Sequence, residues 1–328
     1  MMTNIDHNKS IHYLSEEIAD FHEQTNTWLA IAILAVLASV LNMLLLVIMK
    51  NEERVNKQIF IAGNFSFTAG NFVTSFSLSY AYIRRLVERD LAVKYTTSIG
   101  CMIQTPHLAM YVIGNCMMAV YVFSMSVERL FIIIRAIHCQ KPLPQVRQLL
   151  LFLCTFLPII DATASLVSAL YIKDKRKAVR ALCYLRSTVS DVYFIYQNFQ
   201  NSLLSIASVL LSATALHLLK ISKAITDAVR AQQLKREAHI MKSIAITSTF
   251  TFTMITIPSL VHLVWVFSPR DSFSPEYAWI LHSFSMSVYA AFFVIKSRTF
   301  KRLFVCKRLS LIYPSEKTSQ MITVSMQR

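Results

Sequence analysis

The reactive residues of this chain could serve catalysis, charge pairing in an apolar setting, or thiol oxidation. Catalysis finds little support. The nine His are scattered, and there is no HExxH, no Gly-rich phosphate loop and no CxxC pair. Asp161 is an acid within an apolar run, but an intramembrane hydrolase needs a second catalytic group at the same depth, and no other run has an Asp. The expectation is a protein that is not an enzyme and uses neither metal nor cofactor. Charge pairing has a better candidate in Glu128-Arg129. This pair closes a stretch, Pro106 to Val127, that contains no Asp, Glu, Lys or Arg. An arginine at the edge of such a stretch is costly to leave without a counter-charge. The thiols are Cys101, Cys116, Cys139, Cys154, Cys183 and Cys306.

These residues are held on long apolar segments. Of the 328 residues 55% are hydrophobic and 16% charged, against about 25% charged in a soluble domain. Apolar runs separated by short charged segments predict a polytopic, all-α membrane protein, because only helices and closed barrels satisfy their backbone groups in lipid. No period-2 pattern supports a barrel. The spans are expected at about Thr27–Met49, Gln58–Tyr82, Gly100–Arg135 (one long helix), Leu149–Ile172, Val192–Leu219, Ser243–Phe267 and Glu276–Ile295. That gives an N-terminal tail over 1–26, a seven-helix bundle over 27–295, and a C-terminal segment over 296–328. The second span is interrupted by Asn64, Ser66, Thr68, Asn71, Thr74, Ser75, Ser77 and Ser79, so it is expected to face the bundle interior.

The Lys and Arg distribution orients the bundle. With the N-terminus outside, the inner side holds three in the first loop, four from Arg129 to Arg147, six from Lys220 to Lys242 and eight after Ile295, 21 of the 33. The net charge of +15 therefore lies in loops facing anionic lipid and acidic cytoplasmic partners, not on a nucleic-acid surface. This orientation puts the sequon at Asn8 outside, where it can be glycosylated. After the last span, Phe300, Leu303 and Phe304 make one apolar face ringed by basic residues. That pattern predicts a short amphipathic eighth helix on the inner leaflet, with Cys306 as a palmitoylation site.

The order of these features resembles that of the rhodopsin-like G-protein-coupled receptors over all seven spans. Asn42 stands where the family has a buried asparagine, and Asn71 replaces its helix-two aspartate. Glu128-Arg129 resembles the acidic-Arg pair ending helix three, and Pro258 the helix-six bend. Cys101 and Cys183 match the family's disulfide, and both fall on the oxidising side in this orientation. The departures are Tyr289-Ala290-Ala291-Phe292-Phe293 in place of Asn-Pro-x-x-Tyr, and Thr256 in place of the helix-six tryptophan. Cys101 also lies about one turn farther from Arg129 than is usual. Such drift is similar to the nematode serpentine chemoreceptor families, which keep a triplet like Glu128-Arg129-Leu130.

The resemblance implies a chemosensory receptor in the plasma membrane of sensory neurons. It would bind a small odorant or pheromone-class ligand from outside and activate a heterotrimeric G protein. Arg129 would pair at rest with Glu128 or with Glu237, about six turns before Pro258; otherwise it is a snorkelling arginine. The ligand pocket is expected among His107, Tyr111, Asn115, Tyr196, Asn198, Asn201, His262, Trp265, Trp279 and His282, each of which could instead be a packing contact. No acid stands where amine receptors place theirs, so an amine ligand is not expected. Lys173, Lys175, Arg176, Lys177 and Arg180 are read as a solvated loop, or as an attractor for an acidic ligand. Asp161 either meets ligand or is held by a structural hydrogen bond. The alternative function is a seven-helix transporter or ligand-gated channel, which the four Gly and the absence of a repeat do not favour.

Overall fold

A computed structural model describes residues 4–55, 60–88, 94–137, 144–171, 179–221, 228–267 and 276–297. The order is α1 (Asn4–Val55), α2 (Phe60–Val87), β1 (Tyr95–Thr96), α3 (Ser98–Gln104), α4 (Pro106–Ile137), α5 (Pro144–Leu170), β2 (Val179–Arg180), α6 (Leu185–Thr188) and α7 (Asp191–Ile221). Then α8 (Ala228–Thr251), a π-helical turn (Phe252–Thr256) and α9 (Ile257–Phe267) run on as one rod, followed by α10 (Glu276–Lys296). The architecture is that of an all-α polytopic membrane protein. Among the described residues, six segments are long and apolar enough to cross a bilayer: Gln24–Lys50, Pro106–Ile137, Gln148–Leu170, Asp191–Ile221, Ile240–Phe267 and Glu276–Lys296.

The bundle is apolar outside and mixed inside, with buried polar residues set among an apolar core. On α1, Leu29, Ile33, Val36, Val40, Met43 and Val47 recur at helical spacing and are exposed. Trp28, Ile31, Ala35, Ala38, Asn42 and Leu45 form the opposite, buried face. The 28-residue α2 is too polar to count among the six, and its polarity is turned inward: Thr68, Asn71, Thr74, Ser75, Ser77 and Ser79 are buried while Phe76, Tyr80 and Ile83 point out. Interior polar groups of this kind fix helix packing where lipid supplies no hydrophobic drive. At the centre, α4 packs against α2, α5, α7 and α8.

Four features depart from expectation. The helix of α1 begins at Asn4, far ahead of the apolar run, because no Gly or Pro precedes Gly63 to stop it. The segment expected as one helix over Gly100–Arg135 is two. Thr105 is extended at φ −121°, ψ 92°, as the ring of the following Pro106 requires, and its N–H closes α3 on the Cys101 carbonyl. Cys101 thus rides on a separate short helix, which accounts for its extra distance from Arg129. Third, β1 and β2 pair antiparallel with Tyr95 opposite Arg180, a two-residue ribbon too short to leave a period-2 signal. Fourth, the rod from α8 to α9 widens into a π turn just before Pro258. The eighth helix, with Cys306, and the basic run at Lys173–Lys177 lie outside the described residues, as does the side chain of Asn8.

Where α2 meets α4, Gly70 and Gly114 face each other. A Cβ on Gly114 would lie 2.9 Å from the Thr74 backbone nitrogen and 3.0 Å from the Gly70 carbonyl oxygen. Neither backbone atom can swing aside, so Gly114→Val must separate the helices. The expected cost is about 1–3 kcal/mol, read as a lower melting temperature of the detergent-solubilised protein, with Gly100→Val as the comparison nearer solvent.

Candidate functional site

Cys101 and Cys183 are joined, with sulfurs 2.09 Å and Cα atoms 5.5 Å apart. Together with the β1–β2 ribbon this bond pins the segment after α5 across one end of the bundle, here termed the disulfide end. Arg85 of α2 holds the same segment from below. It donates to the Leu182 carbonyl at 3.3 and 3.2 Å and lies between the rings of Tyr82 (4.5 Å) and Tyr184 (4.0 Å). The Tyr184 hydroxyl donates to Glu276 at 2.9 Å, and the Trp28 indole N–H donates to the same oxygen at 3.0 Å. Burial raises the Tyr184 hydroxyl above its ordinary value, with the Arg85 charge opposing, so the phenol stays protonated as a donor. The network joins α1, α2, the pinned segment and α10.

Under this cover lies a cavity of about 1190 Å³, ample for a small molecule. Of the residues expected to line it, Tyr111, Asn115, Asn198, Asn201, His262, Trp265, Trp279 and His282 do so. Two do not: His107 is buried beside Tyr80, with ring centroids 5.8 Å apart, and Tyr196 is 52% exposed on the outer face of α7. Gln197, one position from Tyr196, lines the cavity instead. The lining has an aromatic wall. Trp279 meets Tyr111 at 5.1 Å, His262 at 5.0 Å and His282 at 5.9 Å, each edge to face.

This wall reaches the irregular part of the α8–α9 rod. Pro258 has no N–H, so the Met254 carbonyl four residues earlier loses its regular α-helical donor. The Ile257 N–H reaches back to Phe252 across the π turn, and Nδ1 of His282, from α10, occupies the Met254 carbonyl. The bend that Pro258 implies is therefore clasped from a neighbouring helix.

Asp161 meets a hydroxyl and not the cavity. Tyr193 donates to its carboxylate at 2.8 Å and also lies 3.0 Å from its carbonyl oxygen. Farther down, Ser126 of α4, Ser208 and Ser212 of α7, and Ser248 of α8 form a cluster of buried hydroxyls 3.0 to 3.5 Å apart.

One turn beyond Ser126, at the end of the bundle opposite the disulfide, Arg129 Nη1 lies 3.2 Å from Glu237 Oε2. Both side chains are nearly inaccessible, and Met125, Ile133, Leu234, Met241 and Ile244 make an apolar jacket nearby. Among the described residues the acid in ion-pair range of Arg129 is Glu237 of α8, while the adjacent Glu128 is half-buried. The cavity residue Asn115 and Arg129 are 14 positions apart on α4, about 21 Å along the helix. No protein-family model matches the chain, and no curated protein does.

Proposed function

We propose that this chain is a chemosensory G-protein-coupled receptor with its disulfide end outside the cell. On this reading α2 is the seventh crossing, and the protein works in the plasma membrane of sensory neurons. A small molecule of the odorant or pheromone class enters the covered cavity, and a heterotrimeric G protein is engaged at the opposite end. The observation that carries the reading is the Arg129–Glu237 pair, a buried ionic contact between α4 and α8 about 21 Å from the cavity. A jacketed ion pair is weak evidence for stability, since replacing it by apolar residues is often neutral. Its natural use is as a contact that is whole in one state and broken in another. Ligand against the wall of Trp279 and His282 would shift the clasp on Met254, and the rod below would carry α8 away from α4. Arg129 would then be released toward the G protein.

The test is G-protein activation, by energy transfer between labelled subunits, with wild type and Arg129→Ala screened against volatile and water-soluble odorants at matched surface levels. A response in wild type that falls at least tenfold in the variant, with binding intact, is expected. A ligand that binds while neither form engages any G protein would sink the proposal and favour a transporter or channel.

A further inference from the structure

The cavity lining carries four buried polar atoms with no hydrogen-bond partner among the described residues. They are Asn115 Oδ1 on α4, Gln197 Nε2 and Asn201 Oδ1 on α7, and His282 Nε2 on α10. Their residues are between 1% and 5% exposed. Such orphans are rare in folded proteins, and each costs about 1–3 kcal/mol to bury unmet. Four in the lining of one cavity, here together termed its floor, point to an occupant.

Their chemistry defines that occupant. Asn115 hydrogen-bonds the Tyr111 hydroxyl yet keeps Oδ1 free. Gln197 and Asn201 are four residues apart and share a helix face. The Met254 carbonyl has no proton to give, so Nδ1 of His282 carries the hydrogen and its neutral ring presents a lone pair at Nε2. The floor thus offers three acceptors and one donor. It offers no formal charge. The charged residues of the lining are Arg180, Arg186, Asp191 and Glu276, of which Arg186 lies over the Trp265 ring and Glu276 already accepts from Trp28 and Tyr184. An ion on this floor would lose its water without gaining a counter-charge. A hydrocarbon would leave all four atoms unmet.

We propose that the floor formed by Asn115, Gln197, Asn201 and His282 binds the head of a neutral ligand bearing a primary carboxamide, with its apolar body against Phe194 and Trp279. Its two N–H donors meet two of the three acceptors, and its carbonyl meets the Gln197 donor. Because amide side chains can turn over, a group carrying both functions fits the floor either way. The inference rests on reading the cavity as a ligand site, but it needs no G protein.

Purified protein in lipid nanodiscs would be melted with four probes on one skeleton: 3-cyclohexylpropanamide, 3-cyclohexylpropanoate, 3-cyclohexylpropylammonium and propylcyclohexane. The amide is expected to raise the melting temperature, at a half-saturating concentration at least tenfold below that of any other probe. Gln197→Leu and Asn201→Leu should abolish that shift without lowering the melting temperature of the empty protein, since an apolar side chain replaces an unmet polar one. A purely structural role predicts instead that both variants melt lower. A stronger effect of the carboxylate, ammonium or hydrocarbon overturns the proposal, as does no amide shift, or a shift that both variants retain. Amide binding without coupling in any G-protein assay would count against the receptor reading alone.

Discussion

Glu237→Gln is expected to raise ligand-independent G-protein activation by at least about tenfold. Glutamine keeps the shape of the side chain but removes the charge that Arg129 meets at 3.2 Å inside an apolar jacket. Stranding one partner of a buried ion pair costs about 3–5 kcal/mol, and each 1.4 kcal/mol lost from the resting state multiplies the active population roughly tenfold. The gain falls short of the full cost because Arg129 can still donate to the amide oxygen. The measurement is basal energy transfer between G-protein subunits at matched surface density. Glu128→Gln provides the contrast, and a much smaller rise is expected from it. Equal rises in the two variants would mean that the contact between α4 and α8 is not what holds the resting state. Unchanged basal activity in Glu237→Gln would mean that the pair is merely structural.

The second large effect is expected at the other end. Cys101→Ser, Cys183→Ser and the double variant should all lose about the same melting temperature, roughly 5 °C or more, together with most cavity binding. The cross-link closes a loop of 82 residues, for which chain entropy alone gives about 4–5 kcal/mol. Once one sulfur is gone the second contributes nothing, so the losses should not add. Binding suffers because Leu182 and Tyr184, beside Cys183, form the roof of the cavity and hold Arg85 and Glu276. Additive losses in the double variant would point to two packed thiols and no bond. The roof would then be held by Arg85 and the β1–β2 ribbon.

The positions of the long helices were readable because an apolar run of twenty residues has few other uses. The inward face of α2 was also readable, since eight small polar residues in an apolar helix have nowhere else to turn. Glu237 stood out as an acid on the helix that carries Pro258. What escaped depended on rotation and on distant contacts. In α7 the ring of Tyr196 made it as suitable a lining residue as Gln197 until the phase of the helix was fixed. The phase was nevertheless written in Gln197, Asn201, Ser205, Ser208 and Ser212, spaced by three or four and all buried. His107 was misjudged because Pro106 starts a new helix and sets its direction. The clasp of His282 on the Met254 carbonyl joins residues 28 apart on different helices. The Arg85 network likewise gathers four segments, and no local pattern announces either.

The hydroxyl cluster of Ser126, Ser208, Ser212 and Ser248 bears on how quickly the bundle could change shape, as distinct from which shape it prefers. Each hydroxyl both gives and accepts, and Ser126 and Ser248 each lie within reach of both serines on α7. When α7 or α8 slides, one oxygen takes over from another, and no group is left dry at the midpoint of the movement. Serine is also small, with no branched chain to ride over its neighbour. On the receptor reading, the barrier to such a slide is therefore expected at the ion pair below and the clasp above, and not at this level of the bundle.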